Sequence, residues 1–289
     1  MTTAVSVDKI SKSYGSKRAL NGVSFKVNEG SLFGFLGPNG AGKTTTIRCL
    51  MNFISPDEGS IKILDRVVDL NSRNLRNSVG YLPSANSLYV HWTVKEHLDF
   101  VSALRAHKPD YSLAKKLDLD IRAKVESLST GNRQKLMIAM AMIGSPELLI
   151  LDEPTKGLDP IMQNQLYALL TDHCKNGGTV FMSSHNLPEV EQVCDAIAVI
   201  KDGRIIVEET LESVRRKSIH EVSVIFKRPV DDNLFKSLDV EVLNHHGAKF
   251  DLKVKGDLEP VLSVVHTRPI TDMTITHASL EEIFLEMYR

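Results

Sequence analysis

One octapeptide limits what this chain can fold into more than any other stretch: Gly37-Pro38-Asn39-Gly40-Ala41-Gly42-Lys43-Thr44, a G-x-x-x-x-G-K-T run. Its setting is as informative as its letters. An apolar run of strand length, residues 32–36, precedes it, and a run of helical character, residues 45–52, opens at Thr45. Glycines at this spacing let successive backbone N–H groups turn inward around phosphate oxygens, and the N-terminus of the following helix adds partial positive charge. A turn that only saved space would need neither the lysine nor the hydroxyl after it. The pattern predicts a strand–loop–helix phosphate site in which Lys43 reaches the terminal phosphates of a nucleoside triphosphate and the Thr44 hydroxyl meets Mg²⁺.

The rest of the chain reads as an α/β frame around that site. Short runs rich in Val, Ile, Leu and Phe, at 5–10, 22–27 and 61–64, are bounded by turn residues and predict further strands. Near-continuous apolar runs at 148–152, 179–183 and 196–200 alternate with helical segments at 160–175 and 187–193, which implies parallel strands buried on both faces. Helical spacing dominates from 93 to 144. The expected fold is a P-loop NTPase core, residues 1–217, carrying a helical subdomain at about 85–145. A small α+β domain follows over 218–289, beyond the charged stretch 208–218. Its order is β-α-β-β-α-β, that of a ferredoxin-like split unit, with one helix near 231–238, another at 258–265 and a closing strand at 271–276. Ser279 and Glu282 have the spacing of a capping box at the start of a last helix.

Two acids end the 148–152 run. Asp152 is suited to hold Mg²⁺, and Glu153, the next residue, to polarise water for attack on a γ-phosphate. Strand ends of this kind carry the ligand side of open α/β sheets. His185 follows the 179–183 run, so it falls at the end of a neighbouring strand, where it would hold the attacking water near Glu153.

With these residues in hand the chain resembles the ATP-binding-cassette family. Leu128-Ser129-Thr130-Gly131-Asn132-Arg133-Gln134-Lys135 is similar to the family signature L-S-G-G-Q, and Gly157-Leu158-Asp159 to the loop that links two cassettes. Tyr14 stands where the family has an aromatic ring that stacks on adenine. Phosphate loop, signature, acidic strand, dimer loop and histidine occur in family order over roughly residues 4–217. The resemblance implies an ATPase in which two copies, as a homodimer, pack head to tail. Gly37 to Thr45 of one copy and Ser129, Thr130, Gly131 and Asn132 of the other then enclose each ATP, and Asp159 lies in the dimer loop. It also implies a separate transmembrane permease. The tail Ala278-Ser279-Leu280-Glu281-Glu282-Ile283-Phe284 looks like that of export subunits whose membrane domain is another polypeptide. In the family a permease helix docks beside the helical subdomain, where Tyr89, Trp92 and residues 93–100 fall. Two departures bear on rate. Ser84 takes the position of the usual metal-contacting Gln, with a shorter reach that Asn86 would have to make up. Thr130 and Asn132 replace the first glycine and the glutamine of the signature.

Charge narrows the alternatives. With 35 Lys and Arg against 36 Asp and Glu, the chain lacks the basic excess of a nucleic-acid binder. The most apolar runs, 138–144 and 148–151, fall short of the roughly 20 residues of a bilayer span. Residues 1–14 lack a basic head followed by an apolar run, which predicts no secretory signal. The three cysteines, Cys49, Cys174 and Cys194, have no metal-ligand spacing and read as thiols of a reducing cytoplasm. The expected protein is cytoplasmic, peripheral on the inner face of the cell membrane through its permease. It energises export by ATP hydrolysis; the alternative is a regulatory or slow cassette that binds ATP with little turnover.

Overall fold

Fully buried apolar strands determine the architecture. The computed structural model describes residues 2–69, 75–85, 88–216, 219–231, 233–236 and 238–277. β1 (Thr3–Tyr14) and β2 (Lys17–Asn28) pair antiparallel as a hairpin. β3 (Leu32–Leu36), buried at every residue, leads into α1 (Lys43–Leu50). β4 (Glu58–Ile63) pairs with β1 and carries β5 (Arg66–Val67), giving a 4-stranded antiparallel sheet in the order β2-β1-β4-β5. A short α2 (Leu75–Ser78) precedes β6 (Val79–Leu82).

The stretch 85–145 carries α3 (Val94–Leu104), α4 (Ser112–Lys116) and α5 (Thr130–Met142). Thr93 starts α3 with a capping box: its hydroxyl accepts the Glu96 N–H at 3.2 Å, and the Glu96 carboxylate accepts the Thr93 N–H at 2.7 Å. Arg105, at the other end of that helix, donates to Ile143 O at 2.7 Å and to Val79 O at 2.9 Å, tying α3 to the end of α5 and to β6.

β7 (Leu148–Asp152), α6 (Pro160–Lys175), β8 (Thr179–Ser184), α7 (Leu187–Val193), β9 (Ala196–Lys201) and β10 (Arg204–Thr210) complete a 6-stranded sheet, order β10-β9-β3-β8-β7-β6. From β9 to β6 its neighbours are parallel, as continuous apolar runs joined by helices require. The two sheets share a phenylalanine core. The Phe25 ring lies 5.9 Å from Phe33, 5.2 Å from Phe35 and 5.7 Å from Phe181. Each such side chain contributes about 1.5–3 kcal/mol by leaving water.

The chain divides into two compact units, Met1–Glu209 and Thr210–Arg289, so the division falls ahead of the expected limit at 217. β10 and α8 (Leu211–Arg216) occupy most of the charged stretch 208–218, with Glu208 on the strand and Glu212 on the helix exposed. In the second unit β11 (Ile219–Phe226), β12 (Val240–His246), β13 (Lys249–Lys255) and β14 (Ile270–His277) form an antiparallel sheet, order β12-β13-β11-β14, with α9 (Glu259–His266) between the last two strands. That strand order is the ferredoxin-like one. The helix expected at 231–238 is not formed among its described residues; 233–236 are a turn. The Asp231 carboxylate accepts the Asn233 N–H at 2.8 Å, a local bond that competes with the helical ladder. Asn86, the expected capping box at Ser279 and Glu282, and the tail 278–284 lie outside the described residues.

Candidate functional site

Strand register brings the chemistry together. β7 pairs with β8 so that Asp152 stands opposite Ser183, and β3 pairs with β8 so that Leu36 stands opposite Ser184. Three neighbouring strands therefore end level, and whatever follows each of them meets at one rim. Past β3 the loop closes with Ala41 N–H on Pro38 O at 3.2 Å. Gly42 turns into α1 at φ 118°, with Ala19 O only 2.9 Å from where a Cβ would sit, so no larger residue fits.

Lys43 is buried at 6% exposure. Its ammonium donates to Gly37 O at 2.7 Å and to Pro38 O at 3.3 Å, and lies 3.3 Å from Glu153 Oε1. Asp152, 1% exposed, accepts the Thr44 hydroxyl on Oδ2 at 3.0 Å and the Ser183 hydroxyl on Oδ1 at 2.6 Å. Ser183 also accepts the Glu153 N–H at 3.0 Å. Glu153 leaves the strand at φ 54°, a left-handed turn rare outside glycine, and its Oε2 stands 2.5 Å from His185 Nδ1. One carboxylate thus bridges the loop lysine and the histidine of the next strand. Burial, and then the negative charge of Asp152, raises the pKa of Tyr81 on β6.

These groups border a cavity of about 540 Å³. Tyr14, Asn39, Gly40, Gly42, Lys43, Thr44, Thr45, Ser84, Glu153 and His185 line it; Gly37, Pro38 and Ala41 form the loop behind. Lys17, Ala19 and Lys156 line it as well, though no motif announces them. Lys17 is the register partner of the ring at Tyr14, a pairing that the hairpin turn at Gly15 could have suggested. Ser183, the hydroxyl that anchors both acids, has no fixed spacing to either and leaves no signal.

Ser129, Thr130, Gly131, Asn132 and Asp159 do not border this cavity. Ser129 caps α5, its hydroxyl accepting the Asn132 N–H at 3.2 Å, and Asp159 caps α6 through the Met162 N–H at 2.9 Å. The start of α5 abuts the turn after Glu153: Gln134 Nε2 donates to Pro154 O at 2.8 Å, and Thr130 Cγ2 fills the space where Gly157 would carry a side chain.

The groups around Asp152 fit Mg²⁺. Thr44, Asp152 and Ser84 offer only oxygen donors, the set that hard cations prefer. No cluster of three or more His, Cys, Asp or Glu suited to a metal occurs among the described residues.

Residues 20–156 match the family model described as ABC transporter. The Nod factor export ATP-binding protein I of Paraburkholderia xenovorans is 37% identical over 213 residues, 71% of this chain and 70% of that protein. Its namesake in Rhizobium etli is 35% identical over 214 residues, 71% of this chain and 68% of that protein. Among solved structures, an ATP binding subunit of an ABC transporter superposes with TM-score 0.69 at 28% identity, covering 74% of this chain and 92% of that one. A dimeric cassette bound to ADP and Pi superposes with TM-score 0.66 over 72% of this chain and 98% of that one; at 23% identity the likeness is of fold.

Proposed function

The chain belongs to the ABC transporter family as one of its ATP-binding, ATP-hydrolysing cassettes, and on that premise we propose that it powers export through a separate membrane-spanning subunit. The relatives named for Nod factor export support the outward direction and a cargo of the kind they carry. Among the described residues no helix is long and apolar enough to cross a membrane, which supports reliance on a partner that does. The chain then works at the cytoplasmic face of the membrane, docked on that partner.

The observation that carries the hydrolytic part is the Glu153 carboxylate, held between Lys43 at 3.3 Å and His185 at 2.5 Å on the rim of the cavity. Lys43 exchanges its loop carbonyls for phosphate oxygens when nucleotide enters, and the loop N–H groups cradle them. Glu153 takes the proton of the attacking water, and His185 keeps that water and the carboxylate in line. Tyr14, 46% exposed at the cavity mouth, offers its ring to adenine. Thr44 and Asp152 would hold Mg²⁺, with Ser84 reaching it through water. Bound there, Mg²⁺ neutralises charge on the terminal phosphate oxygens. Ser129, Thr130, Gly131 and Asn132 open a helix away from their own cavity, which supports their action on the nucleotide of a second copy, with Asp159 at the contact.

Turnover by the purified chain tests this reading. Glu153→Gln should slow hydrolysis by about 100-fold or more while retaining ATP affinity. Equally slow hydrolysis by both forms would favour a regulatory cassette, a reading to which the short side chain of Ser84 lends support.

A further inference from the structure

Glu189 is a buried carboxylate with no task in the chemistry above. It stands in the first turn of α7, 5% exposed, behind the end of β8. Its Oε2 accepts the Ser184 hydroxyl at 2.5 Å. The same hydroxyl accepts the Asn186 N–H at 2.9 Å, which closes the turn that carries His185. The Ser184 carbonyl accepts the Gly37 N–H at 3.2 Å, so this residue also ties down the start of the phosphate loop. Glu189 Oε1 has no hydrogen-bond partner among the described residues, although the Thr155 side chain, in the turn after Glu153, is near enough to favour the charged form. Burial raises the Glu189 pKa; Ser184 and Thr155 oppose it. A half-satisfied buried carboxylate costs stability, and a core built for stability alone would carry an apolar residue here.

A serine hydroxyl has one proton. Donated to Glu189, it leaves the lone pairs of Ser184 for the Asn186 N–H. Without Glu189 the Ser184 side chain loses the buried acceptor that fixes its rotamer and keeps only the longer contact to the Asn186 carbonyl, 3.3 Å away, so its oxygen is no longer held under the Asn186 N–H. His185 is mostly exposed, with a side chain 57% open to solvent, so its aim depends on that turn and on Glu153.

We propose that Glu189 is a positioning residue for hydrolysis: by orienting the Ser184 hydroxyl it fixes the turn that holds His185 against Glu153. The proposal rests on the reading of Glu153 and His185 as the hydrolytic pair. Its test is a set of single-turnover rates and ATP affinities for Glu189→Ala, Glu189→Gln, His185→Ala and the double variant Glu189→Ala/His185→Ala. Glu189→Ala should slow turnover by about tenfold with ATP affinity held within about twofold. Glu189→Gln, whose amide oxygen accepts the same hydroxyl, should recover most of the rate. The double variant should be no slower than His185→Ala, because a residue acting through His185 has nothing left to act on.

Additive losses, or a fall in affinity that tracks the rate, overturn the proposal. Should Glu189→Ala not fold, Ser184→Ala takes its place in the cycle with the same expectation, and additivity there overturns it equally. If instead Glu153→Gln and His185→Ala both turn over at the wild-type rate, the hydrolytic pair itself is wrong. The two failures are therefore distinguishable.

Discussion

Thr130 stands where the family signature has a glycine, and its methyl group is accommodated by a glycine across the gap. A Cβ at Gly157 would lie 3.0 Å from Thr130 Cγ2, and the Gly157 backbone sits at φ 78°. Two penalties coincide at that position, one conformational and one steric. Gly157→Ala should cost about 1–2 kcal/mol, read as a lower midpoint in denaturant unfolding. Thr130→Ser in the same background removes the methyl and should recover the steric share while leaving the conformational one. A wild-type midpoint for Gly157→Ala would contradict the contact. The same neighbourhood explains how a β-branched residue at the head of α5 is tolerated, since Gly131 and Gly157 keep the two backbones close: a Cβ at Gly131 would meet Gly157 O at 3.3 Å.

Among the elements, α6 carries a titratable group that the nucleotide chemistry does not use. His173, 9% exposed near the end of that helix, has no hydrogen-bond partner for Nε2 among the described residues. Burial lowers its pKa below the ordinary 6.5, against a bond to the Pro146 backbone. Well above that value neither the folded nor the unfolded chain is protonated here. As the pH falls through it, the unfolded chain binds the proton first, and stability declines until the folded group titrates too. His173→Gln should flatten that arm of the stability curve as the pH falls below the ordinary 6.5, followed by denaturant midpoints; an unchanged slope would contradict it. Elements of this kind were legible in the sequence to different degrees. The buried parallel strands were, because apolar runs of strand length between helices admit few other readings, and β3 runs from 32 to 36 as its composition implies. The helix near 231–238 was not, because an Asp231 side chain that caps its own turn leaves the apolar spacing of the segment intact. At the candidate site, Asp152, Glu153 and His185 were legible as polar residues that end apolar runs, and Lys43 as the lysine of a glycine-rich loop; the fold brings the four together. Ser183 and Glu189 act through other side chains, and only the β7–β8 register and the packing of α7 bring them in.

On the scale of the whole molecule, the first unit offers an aromatic cluster away from the nucleotide cavity. The Trp92 ring lies 4.6 Å from Tyr89 and 5.5 Å from Phe100, and Tyr89 and Phe100 are 58% and 43% exposed. Aromatic anchors of this kind concentrate binding energy at interfaces. Trp92→Ala should weaken association with the proposed membrane-spanning partner by about tenfold or more while sparing ATP affinity, measured by co-purification and nucleotide titration. Unaltered assembly would remove the cluster from the interface.

Nucleotide binding and turnover, as proposed, depend on a phosphate cradle built around one buried ammonium. The most direct measurement is ATP affinity and turnover of purified Lys43→Ala beside the wild-type chain. The account predicts that both collapse together, since the loop loses the charge that meets the terminal phosphates and the ammonium that ties its own Gly37 and Pro38 carbonyls. Full affinity and full turnover in that variant would contradict it.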